Sequence, residues 1–202
     1  MARNERAAEA LIIVDAQVAF VVGVTGAAEH DPVPGAEALL ERLGELRARA
    51  RQARALVVQL QNDGPLGAPD EPNTPGWDLG LPAEEGPDEV VVRKTADDGF
   101  QGTGLAELLA ARGVRRLAIC GVMSDMCVAA TARGALARGF EVLLPHDAHG
   151  TYDVPAAPEL DEPPVPARTV SRVAEWSLGD QIELVRRAAD VAFEPAAIPD
   201  GQ

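Results

Sequence analysis

Three residue types that together support nucleophilic catalysis stand just beyond apolar runs of the chain. Asp15 follows Leu11-Ile12-Ile13-Val14, Lys94 follows Val90-Val91-Val92, and Cys127 comes shortly after Leu117-Ala118-Ile119-Cys120. A carboxylate can accept a thiol proton, an ammonium can hold that carboxylate and stabilise the resulting ion pair, and the sulfur then becomes a nucleophile. Taken singly, each has a plainer reading: an Asp as a cap, a Lys as a solvated charge, a Cys as a small apolar residue. Cys127 is expected to open a helix, where N–H groups and the helix dipole favour a thiolate, so a lowered thiol pKa is expected. Cys120, inside an apolar run, reads as core. The turn Gly121-Val122-Met123-Ser124-Asp125-Met126 is expected to aim backbone N–H groups at one spot, as an oxyanion hole requires.

Bringing those residues together requires alternating strands and helices. Leu11–Val14, Leu56–Leu60, Val90–Val92, Leu117–Cys120 and Val142–Leu144 read as strands. Between them, Leu39, Leu40, Leu43 and Leu46 recur at helical spacing, and a second helix is expected from Thr103 as N-cap to Gly113 as stop. Cys127 to Arg138 is predicted helical, with Val128, Ala132, Ala135 and Leu136 on one face, as is Ala167 to Trp176. Ile182 to Phe193 fits either strand or helix. This alternation predicts an α/β, three-layer Rossmann-like fold: a mostly parallel sheet of about six strands with helices on both faces. One domain is expected over residues 1–193, with a loose tail over 194–202. Ligands of such folds bind beyond the carboxyl ends of the strands, where all three reactive residues are placed. Two long connections leave the same edge, Gln61 to Glu89 and Pro145 to Pro166, and either could serve as a lid.

Bulk properties narrow the function. The 202 residues suit one domain, and 47% hydrophobic content suits a packed core. A net charge of −14 argues against a nucleic-acid partner and against an anionic membrane surface. No apolar run approaches a membrane span, and the first residues lack the pattern of a signal peptide, so a cytoplasmic protein is expected. Two cysteines are too few for a disulfide framework and read as free thiols.

The motifs resemble the isochorismatase-like cysteine hydrolases. Leu11-Ile12-Ile13-Val14-Asp15-Ala16-Gln17 with Phe20 looks like that family's opening motif, and Arg93-Lys94 with Phe100, Thr103 and Leu105 like its lysine segment. Cys120-Gly121-Val122-Met123-Ser124-Asp125-Met126-Cys127-Val128-Ala129-Ala130-Thr131 resembles its nucleophile motif, with Ser124 where Thr is common, and Asp147-Ala148 matches a further family pair. The resemblance runs from about Leu11 to Trp176. It implies an Asp15–Lys94–Cys127 catalytic set, a cis peptide between Val122 and Met123, and oxyanion donors at the N–H groups of Met123 and Cys127. It also implies hydrolysis of a C–N amide-type bond through a thioester, no cofactor, and a homodimer or higher homo-oligomer. True isochorismatases lack the cysteine. The metal-binding nicotinamidases carry an Asp-x-His after the second strand, whereas this chain has Gln61-Asn62-Asp63-Gly64, so no such metal is expected.

Other residues are candidates for lesser roles. His146 and His149 form an H-x-x-H that lacks the third ligand of a zinc site, and they could instead assist the cysteine or bind substrate. Gly99 to Gly104 fits a tight turn and helix cap better than a phosphate loop. Gln17, Phe20, Asn62, Asp63, Trp77, Asp125, His149 and Tyr152 are the expected substrate-binding residues. Gln61 to Glu89 holds eight acidic residues and no Lys, Arg or His, and the Pro145–Pro166 connection is acidic too. Such a rim would concentrate a cationic small molecule. Within the family, the residues around Asn62, Trp77, Cys127 and His149 look most like members that open a lactam in a polycationic antibiotic. A neutral amide or ureido substrate is the alternative, and a catalytically idle binding member is a further one.

Overall fold

The computed structural model describes residues 7–25, 30–84 and 86–197. Its sheet begins with β1 (Ala10–Val14), which leads to a short helix α1 (Val18–Val21) and the long helix α2 (Ala36–Gln52). Next come β2 (Leu56–Asn62), β3 (Glu89–Lys94), α3 (Leu105–Ala111) and β4 (Arg116–Val122). A π-helical turn, Ser124–Val128, runs into α4 (Ala129–Ala137). The chain closes with β5 (Glu141–Pro145), a two-residue β6 (His149–Gly150), α5 (Ala167–Ser177) and β7 (Ile182–Val185).

The strands are ordered β3-β2-β1-β4-β5-β7, with β6 beside β4, and all these pairings are parallel. This is the expected Rossmann-like architecture with seven strands instead of about six. Beyond the five runs read as strands are β6, two residues long, and β7, which resolves the ambiguous Ile182–Phe193 segment as a strand followed by a 3-10 turn at Ala188–Asp190.

Alternation along β1 explains the three layers. Leu11 and Ile13 join Leu39, Leu43 and Leu46 of α2 on one face. Ile12 and Val14 join Leu105, Leu109, Val128 and Ala132 on the other. Side chains of a strand alternate between faces, so a continuous apolar run is what burial on both sides demands. The sequence order reverses beside β1, since β2 and β3 lie to one side and β4, β5 and β7 to the other. Such a switch point opens a crevice at the carboxyl ends of the central strands.

Gly121 makes the seam between those halves. It pairs with Val14, has φ +114°, and a Cβ there would lie 2.1 Å from the Val14 carbonyl oxygen. Only glycine permits both that conformation and that approach.

Two expectations shift. Thr103 stands one residue before the α3 cap, Gly104, yet its hydroxyl still accepts from Leu105 N–H (3.3 Å) and donates to the Gly99 carbonyl (2.6 Å). The start of the expected loose tail is held: Glu194 N–H donates to the Ala8 carbonyl at 3.0 Å, and Ala196 packs on the core. Residues 198–202 of that tail lie outside the described residues. Among the described residues no helix is long and apolar enough to cross a membrane.

Candidate active site

Asp15, Lys94 and Cys127 meet at the switch point. Asp15 is the first residue beyond β1, with φ +47°, and its N–H donates to the Leu60 carbonyl (3.0 Å). Lys94 ends β3, two strands away, and pairs in register with Asn62. Neighbouring strands lie about 4.8 Å apart, so a long side chain is needed to cross β2. Lys94 does so: Nζ lies 2.7 Å from Asp15 Oδ2, 3.4 Å from Cys127 Sγ, 3.3 Å from Asn62 Oδ1 and 3.1 Å from the Ala96 carbonyl. The Lys94 and Asp15 side chains are fully or almost fully buried. The second Asp15 oxygen, Oδ1, is buried without a hydrogen-bond partner.

Cys127 does not open an α-helix, as the sequence suggested. It lies inside the π-helical turn that precedes α4, with Met123 as the residue before that turn. The Val122–Met123 peptide is cis. Cys127 Sγ lies 3.7 Å from Oδ1 of the exposed Asp97. Thr131 of α4 ties the segment after Lys94 to the nucleophile helix: its hydroxyl accepts from Gly99 N–H (3.0 Å) and reaches the Asp97 carbonyl (3.4 Å).

Burial sets the protonation of the cluster. It pushes the Asp15 carboxyl up to about 6, against the lowering effect of Lys94. Burial also opposes the Lys94 ammonium, but Asp15 and Cys127 together raise its pKa above the usual lysine range. The Cys127 thiol is pushed up, first by burial and then by Asp15 and Asp97, with Lys94 acting the other way. This corrects the expected lowering. The sulfur rests as a thiol beside a carboxylate and an ammonium, so its proton must leave as the sulfur reacts. The arrangement offers a nucleophile, an acceptor for its proton and a cation between them.

The expected substrate-binding residues divide by their partners. Gln17 is fully buried, and its amide is taken up internally: Nε2 donates to the carbonyls of Asn62 and Trp77 (both 3.0 Å), and Oε1 accepts from Asn62 N–H (2.9 Å). It pins the 61–89 connection in place and has no polar atom left for a substrate. Asn62 is held between Lys94 and Asp70, to which its Nδ2 donates at 2.7 Å. Asp63 accepts from Trp77 Nε1 (2.9 Å) and pairs with Arg93 (2.8 Å), whose guanidinium lies over the Trp77 ring. His149 is buried, with one ring nitrogen 2.8 Å from Ser124 Oγ and the other 3.1 Å from Glu175 Oε1, so it too is committed internally. Phe20 meets the His30 ring edge-on, His30 meets Tyr152 likewise, and Tyr152 Oη donates to the Asp31 carbonyl (2.9 Å). Asp125 is exposed and accepts from Thr151 Oγ1 (2.6 Å).

Two other expectations change. The 61–89 connection is laced to α1 through Val18 N–H to Asp78, Ala19 N–H to Gly76 and Gly80 N–H to Ala16. Much of its acidity is compensated, since Glu84 and Glu89 pair with Arg47 and Arg51, Asp88 with Arg112, and Asp63 with Arg93. The histidines are drawn onto Glu175. Among the described residues no three His, Cys, Asp or Glu side chains could hold a metal ion. The segment at the end of β2 that would carry the nicotinamidase Asp-x-His is Gln61 to Gly64, which holds no His and whose Asn62 and Asp63 are already engaged as above. Residues do not fit a metal there. Asp97, Glu175 and Ser171 were missed in the sequence, because no spacing links them to Cys127.

Comparison with known proteins agrees with this geometry. The isochorismatase domain model matches residues 9–159. A streptothricin hydrolase of Streptomyces noursei is 60% identical over 92% of this chain and 64% of its own length. A second from the same organism is 56% identical over 96% of this chain and 74% of its own. The chain therefore spans somewhat less than two thirds of the first and about three quarters of the second. A ureidoacrylate amidohydrolase of Variovorax paradoxus is 32% identical over 69% of this chain and 67% of its own length. An isochorismatase structure from Pseudomonas putida superposes with a TM-score of 0.77 at 26% identity, covering 91% of this chain and 90% of that one. A zinc-bound pyrazinamidase of Pyrococcus horikoshii gives 0.69 at 29% identity, covering 88% and 98%. The chain belongs to the isochorismatase family.

Proposed function

We propose that this protein hydrolyses streptothricin, opening its lactam through a thioester on Cys127. The observation that carries the proposal is the buried cluster in which Lys94 Nζ contacts Asp15 Oδ2 and Cys127 Sγ while Asp15 Oδ1 is left without a partner. Oδ1 takes the thiol proton as the sulfur attacks the lactam carbonyl carbon. Lys94 stabilises the charge on both neighbours. The carbonyl oxygen becomes an oxyanion facing the N–H groups of Met123 and Cys127. The C–N bond then breaks, the nitrogen leaves with the proton from Asp15, and the ring opens with its acyl end on sulfur. Water adds to the thioester, giving its proton to Asp15; the C–S bond then breaks, the sulfur takes that proton back, and the carboxylic acid product departs.

The two relatives above 55% identity support the substrate. A cationic substrate is also favoured locally. The Lys94 and Asp15 charges offset each other, leaving exposed Asp97 beside the sulfur. A neutral ureido substrate is a second reading, favoured by the similarity to the ureidoacrylate amidohydrolase. A homo-oligomer is part of the proposal, with Val173, Trp176 and Leu184 exposed on the α5–β7 edge as an apolar surface for it.

Incubation with streptothricin, followed by mass spectrometry, is expected to show gain of one water and an acyl adduct on Cys127 in quenched enzyme. Cys127→Ala is expected to give neither. Turnover of the ureido compound alone would move the assignment to the second reading.

A further inference from the structure

A buried line of hydrogen bonds joins the nucleophile turn to α5, and the reaction above does not use it. Ser124, the first residue of the π-helical turn, places Oγ 2.8 Å from His149 Nδ1 and 2.9 Å from Ser171 Oγ. His149 Nε2 lies 3.1 Å from Glu175 Oε1. The His149 and Glu175 side chains are each 1% exposed. His146 Nδ1 adds a 2.5 Å contact to Glu175 Oε1, and Arg172 lies 3.5 Å from Oε2.

The charge at one end fixes the direction of the bonds made to it. Burial works to raise the Glu175 pKa, but hydrogen bonds from His149 and His146 prevail and hold the carboxyl below its usual range. A carboxylate only accepts, so His149 donates from Nε2. The other ring nitrogen, Nδ1, is hydrogen-bonded to the Ser124 hydroxyl, and Ser124 Oγ to that of Ser171, so the line runs unbroken from Glu175 to the turn. Ser124 is itself buried, so this line is unsuited to presenting a second nucleophile. It is suited to holding the turn that runs from Met123 to Cys127.

We infer that Glu175 is a positioning residue for the hydrolysis: through His149 and Ser124 it sets the Met123–Cys127 turn so that its N–H groups meet the carbonyl oxygen. This rests on the reading of that turn given under the proposed function.

Two readouts separate the role from simple support of the fold. One is steady-state hydrolysis of streptothricin. The other is inactivation by iodoacetamide, in which the Cys127 sulfur displaces iodide and no oxyanion forms. Ser124→Ala and Glu175→Leu are expected to lower kcat by about 30- to 100-fold, below the full loss of an oxyanion donor, with KM and the alkylation rate within about threefold. Glu175→Gln, which keeps an oxygen acceptor for His149, is expected to recover to within about fivefold of wild type. Ser124→Ala removes a single oxygen and decides the matter if Glu175→Leu fails to fold. Wild-type kcat in folded Ser124→Ala, or kcat and alkylation falling together, overturns the inference. Cys127→Ala in the same assay keeps the two readings apart. If it turns over, the thioester route fails; if it is inactive while Ser124→Ala is unimpaired, only the positioning role fails.

Discussion

Replacing Lys94 by methionine shortens an unbranched side chain by one atom and removes one charge from the centre of the site. Lys94 Nζ lies 2.7 Å from Asp15 Oδ2 and 3.4 Å from Cys127 Sγ. At an effective dielectric of about 20, Coulomb's law gives the Asp15 contact about 6 kcal/mol of attraction. If relaxation and water entry cancel half of it, about 3 kcal/mol is left, or about 2 pKa units. Asp15 already stands at about 6 with the ammonium in place, because burial outweighs it. The variant would therefore carry Asp15 near about 8, with roughly a tenth of it ionised at pH 7. The same change strips the forming thiolate of its neighbouring cation, a second loss of similar size. We expect kcat/KM at pH 7 to fall by at least about 10³-fold. Streptothricin hydrolysis measures that loss, and a carbon NMR titration of the Asp15 carboxyl measures the shift. A folded Lys94→Met enzyme within tenfold of wild type, with the Asp15 titration unmoved, would refute the reasoning.

Three further outcomes follow from the same geometry. Asp15 must be ionised to accept the thiol proton and its pKa is raised to about 6, so kcat/KM is expected to fall about tenfold per pH unit below pH 6. A pH profile flat to pH 5 would exclude Asp15 as the base. Gln17→Ala removes three buried hydrogen bonds that fasten the 61–89 connection, and is expected to destabilise the protein by about 2–4 kcal/mol in a urea titration, without abolishing Cys127 alkylation. Asp97→Asn is expected to raise KM for streptothricin several-fold and flatten its dependence on ionic strength, while kcat changes less; equal KM values at low and high salt in the wild type would remove the electrostatic role of Asp97.

The layers of the fold were legible because its strands are buried on both faces and so read as apolar runs. β7 was ambiguous for the opposite reason: it is an edge strand with half-buried and exposed side chains, and its short sequence lacks a clear period. The positions of Asp15, Lys94 and Cys127 were readable as ends of strands and from the family motifs. The state of the sulfur was not, because it depends on desolvation, which only the packed structure supplies. Gln17 and His149 illustrate a related limit. A polar residue near a reactive one looks available to a ligand in the sequence, yet both proved to be taken up by backbone or buried side chains. Glu175 could not have been found by spacing, since it comes from a helix far along the chain.

The reacting groups are anchored at the ends of β1 and β3 and in the turn after β4, whereas the segments over 61–89 and 145–166 hang from separate points of the same edge. The reacting groups thus stand on stretches of polypeptide outside both connections. Grafting a relative's connection in place of either segment, with Gln17 and its partners matched, offers a route to new amide substrates that leaves the bond-breaking apparatus intact.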